Sequence, residues 1–216
     1  MGLYPNFEPN IIRLKAVSTL ISYIFHPLFF PLYAFIFLMW CNPYYFAHLN
    51  SVQGTQIILN VVVNTIILPL LIIVGIKKLG LLDDIELTVR KQRAIPYLVL
   101  IFFFFWNFIV FLKQDFPPAF VSVMLGAVLG LFAAYIVNIL YFKISLHAIG
   151  AGAFFATVLY GASLSIFSLK WPLIICLIAG GVIGTSRLYL KAHQPIEIYF
   201  GYLLGFLAQI LAYYIL

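Results

Sequence analysis

Charge is scarce in this chain. Of its 216 residues, 8% are Asp, Glu, Lys or Arg, where a soluble domain carries roughly 25%. Residues 16–76 contain none of the four, which excludes an ordinary soluble fold. Cysteine is scarcer still. Cys41 closes one apolar run and Cys176 lies inside another, so there is no disulfide framework, no CxxC redox motif and no Cys/His zinc cluster. Acids number six, and three of them, Asp83, Asp84 and Glu86, crowd into four residues, a spacing that defines no metal geometry. Neither a metal nor any other cofactor is expected. The net charge of +6 and the pI near 9.3 do not imply nucleic acid, because the basic residues are scattered and form no tail or helix that could track phosphates. A cleavable signal is not expected either: the apolar stretch after Arg13 and Lys15 is too long for an h-region and lacks a small-residue cleavage site.

What remains is apolar length. Hydrophobic residues make up 65% of the chain and the mean hydropathy is +1.12. At about 20 residues per crossing, the sequence predicts an all-α, polytopic transmembrane bundle of six to seven helices, with residues 1–216 forming a single transmembrane domain. Charge-free intervals predict helices near 17–40, 55–76, 95–112, 118–141, 147–168, 171–186 and 196–216. A polar break at 41–54 carries Tyr44, Tyr45 and His48 as an interfacial belt would. The sixth helix, at ~24 Å, falls short of a ~30 Å hydrocarbon core, so the loop after it is expected to sink into the membrane. Pro27 and Pro31 predict a kink in the first helix, with His26 satisfying the carbonyls this frees. The run from Phe102 to Trp106 suits a lipid-facing surface. Gly126/Gly130 and Gly201/Gly205 have GxxxG spacing, which predicts close packing within the bundle; a homodimer is the alternative use.

Seven spans put Arg13, Lys15, Lys77, Lys78, Arg90, Lys91, Arg93, Lys143, Arg187 and Lys191 on one face and only Lys113 and Lys170 on the other. The bias predicts that the basic face is cytoplasmic, in an inner or plasma membrane. Setting aside Arg90, Arg93, Lys143 and Arg187, which have a possible chemical use, still leaves six against two.

Three polar segments return to that basic face: 83–96, 143–147 and 186–197. In the third, a guanidinium at Arg187 can grip two phosphate oxygens, and His193 can attack phosphorus if a carboxylate four residues on, Glu197, holds its far nitrogen. The same residues also read as structure: Pro195 fits the first helical turn, Glu197 an N3 cap, and Arg187 and His193 interfacial anchors. In the second segment, Ser145 is a natural N-cap and His147 falls in the first turn of helix five, a ready anion site where a histidine can act as general acid. Alternatively it is a capping serine beside an interfacial histidine. Arg90, Lys91 and Arg93 clamp phosphate or anchor the membrane surface.

Together these segments resemble the type-2 phosphatidic acid phosphatase superfamily. Ser186-Arg187, five residues, His193, three residues, Glu197 is similar to its third signature, Ser-Arg-x5-His-x3-Asp. Ser145-Leu146-His147 is similar to the second, Pro-Ser-Gly-His, and 38 residues separate the two motifs. Arg93, with Arg90 and Lys91 close by, stands where the first signature, Lys-x6-Arg-Pro, belongs. The resemblance covers about 83–200. It departs from the pattern at Glu197 for Asp, at Ile144 and Leu146 for Pro and Gly, and in the first motif, where Ala94 and Glu86 take the places of Pro and Lys.

The resemblance implies a metal-independent phosphatase of lipid metabolism working through a phosphohistidine. His193 would be the nucleophile, Glu197 its orienting carboxylate and His147 the general acid. Arg187, Arg93, Arg90, Lys91, Lys143, Ser145 and Ser186 would hold the phosphate. A site at the membrane interface points to a lipid phosphate or polyprenyl diphosphate as substrate. The departures also fit an inactive relative that binds anionic lipid or a partner protein. A transporter fits less well, since among the span interiors His26 is the clearest ionisable group and no inverted repeat is evident.

Overall fold

The computed structural model describes residues 7–43, 47, 51–80, 93–165 and 168–216. Among them are seven helical stretches long and apolar enough to cross a membrane, and no strand. The expected all-α bundle is therefore what forms, with its spans close to the boundaries set by charge.

The first span differs from expectation. Instead of one kinked helix near 17–40, α1 (Phe7–Ile24) and α2 (Phe30–Cys41) are joined by a 3-10 turn at Pro27–Phe29. Pro27 has no N–H to donate, and its ring crowds the carbonyl one turn back, so the last carbonyls of α1 lose their helical partners. Each finds another. The Tyr23 carbonyl accepts from the His26 N–H at 3.3 Å, and that of Ile24 accepts from the Tyr33 hydroxyl at 2.6 Å. The Ser22 carbonyl is taken by His147, 125 positions away. His26 does not satisfy a freed carbonyl with its ring, as the sequence suggested. Its Nδ1 instead accepts the Leu28 N–H at 3.4 Å and caps the 3-10 turn.

The second span has a similar device. Pro69 breaks the ladder between α3 (Ser51–Val61) and α4 (Leu68–Lys78), and the intervening Val62–Ile67 widens into a π turn in which the Leu68 N–H reaches back to Val63. The remaining spans are uninterrupted: α5 (Ala94–Lys113), α6 (Pro118–Leu140), α7 (Leu146–Leu164), α8 (Lys170–Tyr189) and α9 (Pro195–Ile215). The sixth span corrects a second expectation. It is 20 residues long, about 30 Å, so it fills the hydrocarbon core. Ending it at the first charge cut it short, because the helix carries Arg187 inside its last turn and directs the guanidinium to a polar partner.

The most extensive packing is between α7 and α9, followed by α6 against α9. Small residues permit it. Gly201 and Gly205 lie directly on the backbone of α7: a Cβ at Gly205 would collide with the Ile149 carbonyl, and one at Gly201 would sit 3.0 Å from the Ser145 carbonyl. Gly126 accommodates the Gln209 side chain, whose amide donates to the Ser122 carbonyl at 3.0 Å. Both GxxxG pairs are thus spent inside the bundle. One apolar cluster gathers Phe35, Phe111 and Phe120 (α2, α5, α6), and another gathers Tyr97, Phe104 and Ile144 (α5 and the loop before α7). On α5, Phe102, Phe105 and Trp106 are exposed while Phe104 is buried, the pattern of a helix with one face in lipid. A mostly apolar cavity of about 60 Å³ lies between α2, α5, α6, α7 and α9, with Thr157 and Gln209 among its lining. It contains none of the cations.

Gly205→Ala should lower the apparent Tm in detergent by an amount equivalent to about 1–3 kcal/mol of overpacking. Gly181→Ala on α8, where an added Cβ meets nothing within 4 Å, should leave it unchanged. Equal thermal stability of the two variants, read by tryptophan fluorescence, would contradict the close α7–α9 contact.

Candidate active site

The α7–α9 contact sets two helix N-termini side by side. The Ser145 N–H, just before α7, donates to the Glu197 carbonyl in the first turn of α9 at 3.3 Å. Ser145 is the N-cap of α7, its hydroxyl accepting from the Ala148 N–H at 3.4 Å, and His147 lies in the first turn. At α9, Gln194 is the N-cap, Pro195 the first helical residue and Glu197 the N3 partner of a capping box. Glu197 is at once the N3 cap and the partner of an imidazole. One carboxylate oxygen, Oε2, accepts the Gln194 N–H at 3.2 Å and meets His193 Nδ1 at 2.7 Å.

The turn between α8 and α9 explains how His193 comes back to the site. Lys191 adopts a left-handed conformation with φ 52°. The Lys191 N–H bonds the Leu188 carbonyl and the Ala192 N–H that of Arg187, a Schellman closure that stops the helix and reverses the chain. Arg187, in the last turn of α8, donates from Nη1 to the Ser22 hydroxyl at 3.1 Å. At the N-cap of α5, the buried Arg93 donates to the Ile144 carbonyl at 3.3 Å. Ile144 itself is fully buried in the cluster with Tyr97, so where the resembled family has proline this chain has a packing residue whose carbonyl holds a cation.

Arg93, Lys143, His147 and Arg187 all act electrostatically on His193, whose ring is pushed well below its ordinary value, first by burial and then by these neighbours. Burial also works against the charge on Lys143, reinforced by Arg93 and Arg187 and offset by Glu197. Burial of Arg93 is opposed by Tyr97 and Glu197. Three cations thus surround His193, two of them also acting on the one carboxylate, Glu197, and the surplus is positive. Such an arrangement can hold an anion with several oxygens. With Nδ1 of the neutral His193 committed to Glu197, the lone pair lies on Nε2.

Of the residues singled out by sequence, Arg93, Lys143, Ser145, His147, Arg187, His193 and Glu197 come together. Ser186 is buried beside them, with its hydroxyl turned to the Val182 carbonyl of its own helix at 2.8 Å. Arg90 and Lys91 lie outside the described residues, as do Asp83, Asp84 and Glu86. Sequence reasoning missed Ser22, which touches both His147 and Arg187. No local signal sets it apart, since Ser18, Thr19 and Tyr23 carry hydroxyls beside it. Among the described residues no three His, Cys, Asp or Glu gather closely enough to hold a metal ion.

Residues 140–216 match the family described as the PAP2 superfamily, so the resemblance read from the second and third motifs holds over that stretch. No curated protein and no solved structure matches the chain.

A depressed imidazole has a definite consequence for stability. The unfolded chain takes up its proton near pH 6.5 and the folded chain does not, so this contribution is complete above pH 6.5 and is lost as pH falls below it. The apparent Tm in detergent should fall between pH 7 and 5, and His193→Gln should reduce that slope by up to about 1.4 kcal/mol per pH unit. An unchanged slope would mean that His193 protonates as an ordinary exposed histidine.

Proposed function

We propose that this chain, PAP2-like over residues 140–216, is an integral membrane phosphatase that hydrolyses a lipid phosphate or polyprenyl diphosphate through a phosphohistidine, with no metal ion. The observation that carries the reading is the 2.7 Å contact between His193 Nδ1 and Glu197, made inside a ring of cations. A carboxylate on the far nitrogen keeps the ring oriented and stabilises the imidazolium that forms when Nε2 attacks.

In the first step the Nε2 lone pair forms the N–P bond, the P–O bond to the lipid breaks, and His147 protonates the departing oxygen. In the second, water attacks phosphorus, gives its proton back to His147 and displaces His193. Arg187, Arg93 and Lys143 hold the phosphoryl oxygens while charge develops on them. Donors preorganised in this way in a poorly solvated site typically contribute the largest share of such catalysis. The site lies at the ends of the transmembrane helices, where a lipid presents its phosphate. Its basic face is proposed to be cytoplasmic on the charge bias.

Purified protein in detergent with EDTA should release phosphate from phosphatidic acid, phosphatidylglycerol phosphate or undecaprenyl diphosphate, and orthovanadate should inhibit it. His193→Ala should abolish turnover, and Arg187→Ala should cost about 10²–10³-fold. Equal background from wild type and His193→Ala would overturn the proposal and favour a lipid-binding relative without activity, a reading the packed Ile144 would then support. For orientation, a thiol label applied outside intact cells should reach Gln114→Cys and not Leu79→Cys; the reverse pattern would invert the topology.

A further inference from the structure

The first span lies outside residues 140–216, yet Ser22 makes two polar contacts in the site, one through its backbone and one through its side chain. Its carbonyl is 3.1 Å from His147 Nε2. A carbonyl has no proton to give, so Nε2 must carry one and donate it. That fixes the neutral ring as the Nε2–H tautomer and leaves Nδ1 as the open nitrogen. The carbonyl is available only because of the break before Pro27. In a continuous helix it would accept from the His26 N–H, which here bonds Tyr23 instead.

The side chain is equally constrained. The Ser22 hydroxyl donates to the Ser18 carbonyl at 2.9 Å, so toward Arg187 it can only accept, and a guanidinium can only donate. The Arg187 Nη1 at 3.1 Å therefore meets a lone pair already turned to receive it. His193 presents the mirror arrangement to His147: Nδ1 is held and Nε2 is open.

We infer that Ser22 is a positioning residue, whose carbonyl sets His147 to exchange its proton through Nδ1 and whose hydroxyl fixes Arg187 for the phosphoryl group. The inference rests on the phosphatase reading above and assigns opposite ring nitrogens to its two histidines. The bound phosphate monoester, as its monoanion, supplies the proton that Nδ1 of the neutral ring takes up; when the ester bond breaks, that proton goes to the leaving oxygen and the ring is neutral again with Nε2–H still on the Ser22 carbonyl. The attacking water then returns a proton to Nδ1 as the P–N bond breaks. The difference in partners suits the difference in task. A full carboxylate on His193 stabilises the cationic ring that must persist in the phosphohistidine, whereas a neutral carbonyl on His147 holds the ring in place while leaving its proton easier to release.

Three measurements on the full chain in detergent test this. Spectra of ¹⁵N-histidine protein at neutral pH, assigned with His147→Gln and His193→Gln, should show His147 as the Nε2–H tautomer and His193 as the Nδ1–H tautomer. Orthovanadate should bind about 10- to 100-fold more weakly to Ser22→Ala, the usual loss for a hydrogen bond to a charged group, and Ser22→Thr should restore affinity to within about threefold. Pro27→Ala lets the His26 N–H reclaim the Ser22 carbonyl. It should slow alkyl phosphate hydrolysis at least tenfold while leaving p-nitrophenyl phosphate, whose leaving group needs no proton, within threefold. An Nδ1–H tautomer at His147, undiminished vanadate binding by Ser22→Ala, or equal losses on both esters would overturn the inference. If wild type turns over neither ester, the phosphatase reading fails, and the tautomer and vanadate measurements still decide the role of Ser22.

Discussion

Two backbones in contact determine the rest of this molecule. α7 and α9 approach so closely that Gly205 lies on the Ile149 carbonyl and Gly201 on that of Ser145. No other residue type would allow it, since any Cβ would separate the helices by more than the contact tolerates. With the helices held at that distance, their N-termini align, the Ser145 N–H reaches the Glu197 carbonyl, and the two motifs that carry His147 and His193 face one another. The alignment of the two motifs thus depends on packing within the bilayer.

The second constraint is that polar groups at this depth need partners. The chain meets it by giving single groups two duties. Glu197 closes a capping box and holds an imidazole with the same oxygen. The Ile144 carbonyl belongs to a packed loop residue and anchors Arg93. Ser22 does the same with its two oxygens. Each proline break releases backbone groups that are taken up nearby or by the site, so Pro27 serves as a source of acceptors as well as a kink.

Charge-free intervals were enough to place seven spans because insertion into lipid is decided by composition, which the sequence carries directly. The second and third motifs were legible for a similar reason: each lies within one short segment, so its residues meet through local helix geometry. Ser22 was illegible because its partners are 125 and 165 positions away, and nothing near residue 22 announces them. The sixth span was misjudged because an arginine was treated as the edge of the apolar phase. A guanidinium at the end of α8 that bonds a hydroxyl in a neighbouring helix needs no such edge. Glu197 illustrates the opposite difficulty: cap and imidazole partner looked like rival readings in the sequence, and the geometry satisfies both.

The distance along the chain between Ser22 and its partners also has a meaning in time. At a synthesis rate of about 5–20 residues per second, the 165 positions separating Ser22 from Arg187 correspond to roughly 10–30 s. Throughout that interval the first span is already made, with a helix end whose carbonyl has no partner within its own segment. Something temporary, whether lipid headgroups, water or the insertion machinery, must solvate it until the fifth and sixth spans arrive. The cluster therefore closes only after α7 and α8 have followed α1 into the membrane.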